Sequence, residues 1–249
     1  MWKTTDKSPA PTDFRMLACD YDRTIADDGV VSSSTSEWLL RLKEEGWKLA
    51  LVTGRELDDL KAICDPLDFF DIAVVENGAV IYLPHNRAES YLGDSPPPLL
   101  FQELEKSGIR FSSGRIIVSA SSQSADRIFE IVRKLHLTLN VILNRDSVMI
   151  LPEGVNKATG LTAGASQFGL DLSQIVAVGD AENDIEFLGV CGLSVAVGNA
   201  LPGIKAVADL VMTQPSGEGV IELIRDYLLS AQETEPSIQK ARWNERPSQ

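Results

Sequence analysis

A short apolar run meets a charged and polar cluster in the stretch Met16-Leu17-Ala18-Cys19-Asp20-Tyr21-Asp22-Arg23-Thr24. An apolar run that ends in this way is typical of a buried strand. Because side chains two residues apart on an extended chain point the same way, Asp20 and Asp22 leave this strand together. Ligands of open α/β sheets bind at the carboxyl ends of the strands, so the pair marks a candidate site.

The two carboxylates are close enough to repel each other unless something offsets their charge. A cation between them is one possibility; the other is that one carboxylate is a nucleophile and its neighbour a proton donor. A solvated turn rich in aspartate is the alternative interpretation of the same residues.

The rest of the chain alternates short apolar strands with helices. Ser34 and Glu37 have the spacing of a capping box, which predicts the start of the first helix at this point. The predicted elements are a helix at about 35–45, a strand at 49–52, a helix at about 56–64, a strand at 72–75, a helix from 157 to about 168, a strand at 175–178, a helix at 182–189, strands at 193–197 and 210–212, and a helix at 219–230. This order predicts an α/β fold with a Rossmann-like parallel sheet covered on both faces.

The alternation breaks between residues 83 and 152. That segment predicts helices at about 97–107 and 125–135, a strand at 115–119 and a hairpin at 139–151, which is an α+β pattern. The predicted organisation is a core domain of residues 15–82 and 153–230, a cap domain of residues 83–152, and flexible tails at 1–14 and 231–249.

The composition is acidic. The 249 residues include 23 Lys and Arg against 36 Asp and Glu, a formal net charge of −13. This excess argues against binding to nucleic acid or to an anionic membrane, and no apolar run approaches the roughly 20 residues that span a bilayer. Three widely spaced cysteines, Cys19, Cys64 and Cys191, predict reduced thiols and a cytoplasmic protein.

Two further motifs carry groups suited to binding an anion. Thr53, Gly54 and Arg55 follow the strand at 49–52, where a hydroxyl and the free amides of a helix start would form an anion site. Lys157 begins a predicted helix, where the helix dipole disfavours a cation unless an anionic partner is present. A plain glycine turn and an ordinary exposed lysine are the alternatives.

A fourth motif, Gly179-Asp180-Ala181-Glu182-Asn183-Asp184, follows the strand at 175–178. Asp180 lies at the strand end and Asp184 one helical turn further along. Carboxylates in this position suit Mg²⁺, which prefers one or two of them together with phosphate and water. Helix capping by Asp180 is the simpler interpretation.

The four motifs together, in this order over residues 15–229, resemble those of the haloacid dehalogenase superfamily of phosphohydrolases. Glu76-Asn77-Gly78-Ala79 and Val195-Ala196-Val197-Gly198-Asn199-Ala200 resemble the subgroup with a cap inserted between the second and third motifs. That subgroup, subfamily IIB, includes Cof-like, sucrose-phosphate and archaeal phosphoglycolate phosphatases.

The resemblance implies a role for each motif residue. Asp20 would attack phosphorus and form an aspartyl phosphate, and Asp22 would serve as general acid and base. Mg²⁺ would be held by the Asp20 carboxylate, the Asp22 backbone carbonyl and Asp180, with Asp184 acting through water or other residues. The remaining implied site residues are Thr53, Gly54 and Lys157 on the phosphoryl group, and Asn183 and Asn199 as supports of the fourth motif.

The substrate implied by the resemblance is a small phosphate ester, such as phosphoglycolate or a sugar phosphate. Arg23 departs from the family pattern, which usually has glycine or a small residue at that position. The candidates for contact with the substrate are Arg23, Arg55, Asn77, Arg115, Arg127 and Arg145. A phosphomutase of the same fold and a silent phosphate-binding module are the alternatives, and either a monomer or a homodimer is expected.

Overall fold

The computed structural model describes residues 14–229, which places the predicted tails, apart from Phe14, outside the described residues. Phe14 is buried in the core and does not belong to a tail. The strands are β1 (Met16–Cys19), β2 (Ala26–Asp27), β3 (Val30–Val31), β4 (Lys48–Val52), β5 (Ile72–Val75), β6 (Val80–Leu83), β7 (Ala88–Tyr91), β8 (Phe111–Ser113), β9 (Val118–Ser121), β10 (Leu139–Asn144), β11 (Ser147–Pro152), β12 (Ile175–Gly179), β13 (Leu193–Ala196) and β14 (Leu210–Val211). The helices are α1 (Ser33–Glu44), α2 (Leu57–Ile63), α3 (Pro98–Lys106), α4 (Ala125–Lys134), α5 (Lys157–Ser166), α6 (Ile185–Val190), α7 (Pro202–Val207) and α8 (Ser216–Leu223).

An eight-stranded sheet in the order β14-β13-β12-β1-β4-β5-β6-β7 forms the larger unit. The strands from β14 to β5 are parallel, and β6 and β7 continue the sheet antiparallel. The carboxyl ends of β1, β4, β5 and β12 therefore meet at one edge. This confirms the predicted α/β fold and brings the sequence motifs together.

The continuous apolar strands are buried on both faces. Every side chain of β1 and β5 is buried although successive side chains point to opposite faces. Helix α1 packs against α8, and α5 packs against α6 and β5. No helix within residues 14–229 is both long and apolar enough to cross a membrane.

A second, four-stranded antiparallel sheet in the order β10-β11-β9-β8 forms a smaller unit with α3 and α4. We call residues 98–152 the insert. Val148 and Ile150 of β11 join the insert's own apolar cluster, whereas Met149 and Leu151 between them join the core of the larger unit. One face of this sheet therefore carries the two helices while the other faces the larger sheet.

Three predictions about the segment 83–152 need correction. Residues 88–91 fall within the predicted cap, but they form strand β7, which pairs with β6 in the larger sheet. The strand expected at 115–119 occupies Val118–Ser121, because Glu76 holds residues 115–117 in a loop. Strand β8 carries two serines and was missed.

A buried carboxylate joins the insert to the larger unit. Glu76 is fully buried, and its Oε1 accepts a hydrogen bond from Arg115 N at 2.8 Å while its Oε2 accepts from Ile116 N and Ile117 N at 2.8 and 3.0 Å. A Cβ at Gly114 would lie 2.4 Å from Oε1, so glycine is required for this close approach. The three bonds fix the loop before β9 to the end of β5.

Helix α5 crosses the chain after β5 at a distance that only glycine permits. A Cβ at Gly160 would lie 2.5 Å from Gly78 Cα and 2.6 Å from Val74 Cγ1. Gly160→Ala should therefore lower the free energy of unfolding by about 1–3 kcal/mol through overpacking. The measurement is urea denaturation of the purified variants.

Gly189→Ala is the matched control, because it also lies in a helix but a Cβ there meets nothing within 4 Å. Alanine is favoured over glycine in helices, so this variant should be stabilised by up to about 1 kcal/mol. Equal effects of the two substitutions would contradict the tight crossing at Gly160.

The three hydrogen bonds that Glu76 accepts lead to a second prediction about stability. Glu76→Gln keeps the side-chain size but turns an amide donor toward backbone N–H groups, which should cost about 1–3 kcal/mol of unfolding free energy. Arg115→Met is the control, since it removes only the more exposed pairs with Asp58 and Glu89 and should lower the free energy of unfolding less than Glu76→Gln does. An Arg115→Met loss as large as that of Glu76→Gln would contradict this assignment.

Candidate active site

Three strand ends place the candidate catalytic groups side by side. Asp20 follows β1, Thr53 follows β4 and Asp180 follows β12, and β1 pairs with both of the other strands. Asp20 N donates to Val178 O at 3.0 Å, which continues the sheet pairing up to the first aspartate. The motifs converge because the parallel strands that precede them are neighbours.

A buried lysine joins two of the acidic residues. Lys157 is 0% exposed, and its Nζ lies 2.6 Å from Asp20 Oδ1 and 2.6 Å from Asp184 Oδ1. Burial opposes the charge of Lys157, but the Asp184 and Asp20 carboxylates raise its pKa above the usual value. These partners explain a cation at the start of α5, where the helix dipole disfavours it.

Asp184 organises the loop that follows β12. Its Oδ2 accepts hydrogen bonds from Asp180 N at 2.8 Å and from Ala181 N at 2.9 Å. A Cβ at Gly179 would lie 2.6 Å from this same oxygen, so the motif needs glycine there. Both oxygens of Asp184 are thus used within the protein.

Asp180 is buried and meets an arginine of the insert. Arg145 lies in the turn between β10 and β11, and its Nη2 donates to Asp180 Oδ2 at 2.6 Å. Arg23 Nε lies 3.8 Å from the same oxygen. Asp180 therefore links the larger unit to the insert.

The carboxylates could hold a metal ion. One oxygen each from Asp20, Asp180 and Asp184 lie within 4.8 Å of one another. Burial, reinforced by Asp184 and Asp180, raises the pKa of Asp20 to about 8 against the opposing effect of Lys157. Burial and Asp184 raise the pKa of Asp180 to about 6 against the opposing effect of Arg145. A divalent cation would offset the crowding of negative charge that resists ionisation here.

The donor set fits a hard cation. Among the hydrogen bonds within residues 14–229, none uses Asp20 Oδ2 or Asp180 Oδ1, whereas Asp184 has no oxygen to spare. Two available carboxylate oxygens match the preference of Mg²⁺ for one or two protein carboxylates.

Asp22 points away from the acidic triad to Arg55. The guanidinium donates from Nε to Asp22 Oδ2 and from Nη2 to Asp22 Oδ1, both at 2.8 Å, and from Nη1 to Asp59 at 2.7 Å. The hydrogen bonds that Arg55 donates to Asp22 raise the pKa of Arg55 above its usual value. Arg55, a predicted substrate contact, is therefore first of all the partner of Asp22.

A cavity of about 480 Å³ opens between the strand ends and the insert. The larger unit lines it with Asp20, Asp22, Arg23, Thr53, Gly54, Arg55, Glu56, Asp59, Asp180, Ala181 and Asn183. The insert lines it with Ser112, Ser119, Asn144, Arg145, Ser147 and Met149. Thr53 Oγ1 accepts a hydrogen bond from Arg55 N at 3.2 Å, which leaves the hydroxyl proton for a ligand.

Lys157 and Asp184 lie beneath the lining of this cavity. Lys157 contacts the lining residue Asp20, and Asp184 accepts a hydrogen bond from the loop after β12. Arg23 does line it, with its backbone at φ 63°. That left-handed conformation favours glycine, the residue that the family pattern often has at this position.

Three of the proposed substrate contacts lie elsewhere. Arg115 donates to Asp58 at 2.5 and 3.0 Å, and Arg127 donates to the Ser107 carbonyl. Asn77 accepts a hydrogen bond from Asn183 Nδ2 at 3.1 Å and so fixes a lining residue without lining the cavity. Asp58 and the Ser107 carbonyl hold the two arginines away from the cavity, and Asn183 holds Asn77; the sequence alone did not reveal these partners.

Asn199 supports a different loop from the one predicted. Its Nδ2 donates to Arg23 O at 2.9 Å, and its Oδ1 accepts from Ser216 N at 2.8 Å. It thus braces the loop after β1 against α8, while Asn183 is the residue that belongs to the fourth motif.

The serines of the insert were missed. Ser112 of β8 stands opposite Ser119 of β9, which stands opposite Met149 of β11, so the three side chains form one row. The sequence did contain an indication of this row. In Val118-Ser119 and Val148-Met149 the first side chain of each pair points to the insert's own core, so the second must point to the opposite face of the sheet.

Comparison with known proteins agrees with this geometry. The family model of haloacid dehalogenase-like hydrolases matches residues 17–96 and 100–224. Phosphoglycolate phosphatase 2 of Saccharolobus solfataricus is 31% identical over 224 residues, covering 86% of this chain and 92% of the relative.

Solved structures share the fold. A Thermoplasma acidophilum protein superposes with a TM-score of 0.75 at 18% identity, covering 87% of this chain and 99% of its own. A sugar phosphatase described as subclass IIB of the haloacid dehalogenase superfamily gives a TM-score of 0.67 at 19% identity, covering 88% and 98%. The family match extends over most of the chain and includes all four sequence motifs, and on this basis the chain belongs to the haloacid dehalogenase-like hydrolases.

Proposed function

We propose that this hydrolase is a Mg²⁺-dependent phosphomonoesterase that forms an aspartyl phosphate on Asp20. Phosphoglycolate is the first candidate substrate, with sugar phosphates second, and a cytoplasmic location is part of the proposal. The observation that carries it is Asp20, which lines the cavity, is held by Lys157, and lies within reach of Asp180 across a shared cation site.

The first half of the reaction transfers the phosphoryl group to the protein. An Asp20 oxygen forms a bond to phosphorus while the bond from phosphorus to the leaving oxygen breaks. Protonated Asp22 gives its proton to that leaving oxygen. Because Arg55 bonds both oxygens of Asp22 in the structure, this transfer needs one of the two bonds to be released.

The second half returns Asp20 to its starting state. Water attacks phosphorus and gives a proton to Asp22, the bond between Asp20 and phosphorus breaks, and inorganic phosphate leaves. Thr53 donates its hydroxyl to a phosphoryl oxygen, and Lys157 keeps Asp20 oriented. Bound Mg²⁺, held by Asp20, Asp180 and the Asp22 carbonyl, would neutralise charge on the transferring group.

The insert acts as a cap in this proposal. It covers the strand ends with a sheet whose cavity-facing side chains include Ser112, Ser119 and Arg145. Covering the site separates it from bulk solvent, and a cavity of about 480 Å³ suits a small metabolite. The relative from Saccharolobus solfataricus supports phosphoglycolate as that metabolite.

Substitution of the nucleophile tests the proposal. Purified protein with Mg²⁺ should release phosphate from at least one member of a panel of phosphoglycolate, sugar phosphates and nucleotides. Asp20→Asn should lower that rate by at least about 10³-fold, since the residues of a nucleophilic site act as a unit.

Asp126→Asn is the matched control, because Asp126 is exposed on α4 outside the cavity and should leave the rate unchanged. Folded protein that releases phosphate from none of the esters would overturn the proposal, as would an Asp20→Asn variant that keeps its rate. A rearranged phosphate ester in place of free phosphate would show a mutase instead.

A further inference from the structure

We propose that Arg145 of the insert and the divalent cation compete for Asp180, and that the displaced guanidinium then binds a carboxylate group of the substrate. The second half of this inference rests on the proposed function, whereas the first half concerns the protein and the cation alone. Arg145 would thus be a specificity-determining residue that becomes available only after the cation has bound.

The competition follows from the contact between two units of the chain. Arg145 Nη2 lies 2.6 Å from Asp180 Oδ2 and 3.4 Å from the Asp180 carbonyl oxygen, and the Asp180 side chain is only 2% exposed. A cation at the acidic triad needs Asp180, because both oxygens of Asp184 are already used by Lys157 and by backbone N–H groups. Two positive groups held on one buried carboxylate repel each other.

The turn that carries Arg145 places buried polar atoms at the wall of the cavity. Arg145 is the residue after β10, at φ 47°, and its contact with Asp180 joins the insert to the larger unit at the cavity. Arg145 Nε and Asn144 Oδ1 are buried, and within residues 14–229 neither has a hydrogen-bond partner. A buried donor left unpaired at the wall of a cavity indicates a ligand that accepts a hydrogen bond from it.

The chemistry of the insert wall selects the ligand. Of the insert residues that line the cavity, Arg145 alone is charged, and its neighbours offer the hydroxyls of Ser112 and Ser119. The phosphoryl end of a substrate faces Asp20, so its other end faces this wall. A guanidinium binds a carboxylate through two parallel hydrogen bonds, which favours phosphorylated hydroxy acids over neutral phosphate esters.

The first experiment measures Mg²⁺ binding by calorimetry without substrate. Because coupling between two ligands is reciprocal, Arg145→Met should bind Mg²⁺ at least about 5-fold more tightly than the unsubstituted protein. Arg115→Met is the matched control, since Arg115 also joins the insert to the larger unit but pairs with Asp58, and it should leave Mg²⁺ affinity unchanged. Unchanged or weaker binding by Arg145→Met would overturn the competition.

A hydrogen-exchange readout follows the same displacement. Addition of Mg²⁺ alone should speed amide exchange in residues 144–147 of the unsubstituted protein, because the turn loses its contact with Asp180. The exchange of residues 115–117, held by Glu76, should stay unchanged. Slower exchange in the turn on Mg²⁺ addition would contradict release of Arg145.

The second experiment compares phosphoglycolate with 2-hydroxyethyl phosphate, which replaces the carboxylate by a neutral alcohol of similar size. The unsubstituted protein should have the lower KM for phosphoglycolate, and Arg145→Met should raise that KM by about 10-fold or more while the KM for the neutral ester stays unchanged. Equal changes for both esters would overturn carboxylate recognition. If the unsubstituted protein cleaves neither ester nor any other, the proposed function fails, and the calorimetry still decides the competition for Asp180.

Discussion

The buried ammonium of Lys157 between the carboxylates of Asp20 and Asp184 is the interaction on which the rest of the site depends. Each ion costs several kcal/mol to remove from water, and the contacts of 2.6 Å offset that cost only while all three groups stay together. The pairing therefore fixes three pieces of chain relative to one another: the end of β1, the start of α5 and the loop after β12.

The same constraint extends outward through backbone contacts. Helix α5 can bring Lys157 to the sheet edge because Gly160 and Gly78 let two backbones approach closely. Asp184 also accepts hydrogen bonds from the Asp180 and Ala181 amides, which fixes the loop after β12. Glu76, at the end of β5, accepts hydrogen bonds from the insert and fixes the insert to the larger unit. These contacts connect the candidate catalytic groups to the insert. The turn at Arg145 takes no part in them.

The sequence predicts the larger unit well because its strands are continuous apolar runs. Strand β5 was expected at 72–75 and occupies Ile72–Val75, since burial on both faces leaves a strong pattern. Strands β7 and β8 were misplaced or missed because edge strands are half exposed and carry polar residues such as Glu89 and Ser112. The motif aspartates could be identified because they follow buried strands, where ligands of α/β sheets bind. Lys157 could be identified because the helix dipole disfavours a cation at a helix start unless an anion is near.

The contacts of long side chains could not be predicted in the same way. Arg115 and Arg145 looked alike in sequence, yet one pairs with Asp58 on α2 and the other reaches Asp180. The partner of a flexible cation depends on how the insert is placed over the sheet, which Glu76 decides through three hydrogen bonds. Ser112 and Ser119 form a row only once the strand register is known.

Hydrolysis through a covalent phosphoryl group on Asp20 would leave its mark on the stereochemical course at phosphorus. The substrate would be a phosphorothioate ester made chiral at phosphorus with oxygen isotopes, hydrolysed in isotopically labelled water. Two successive displacements, first by Asp20 and then by water, predict retention of configuration in the released thiophosphate. Inversion would show a single direct attack by water, with no phosphoryl group on Asp20.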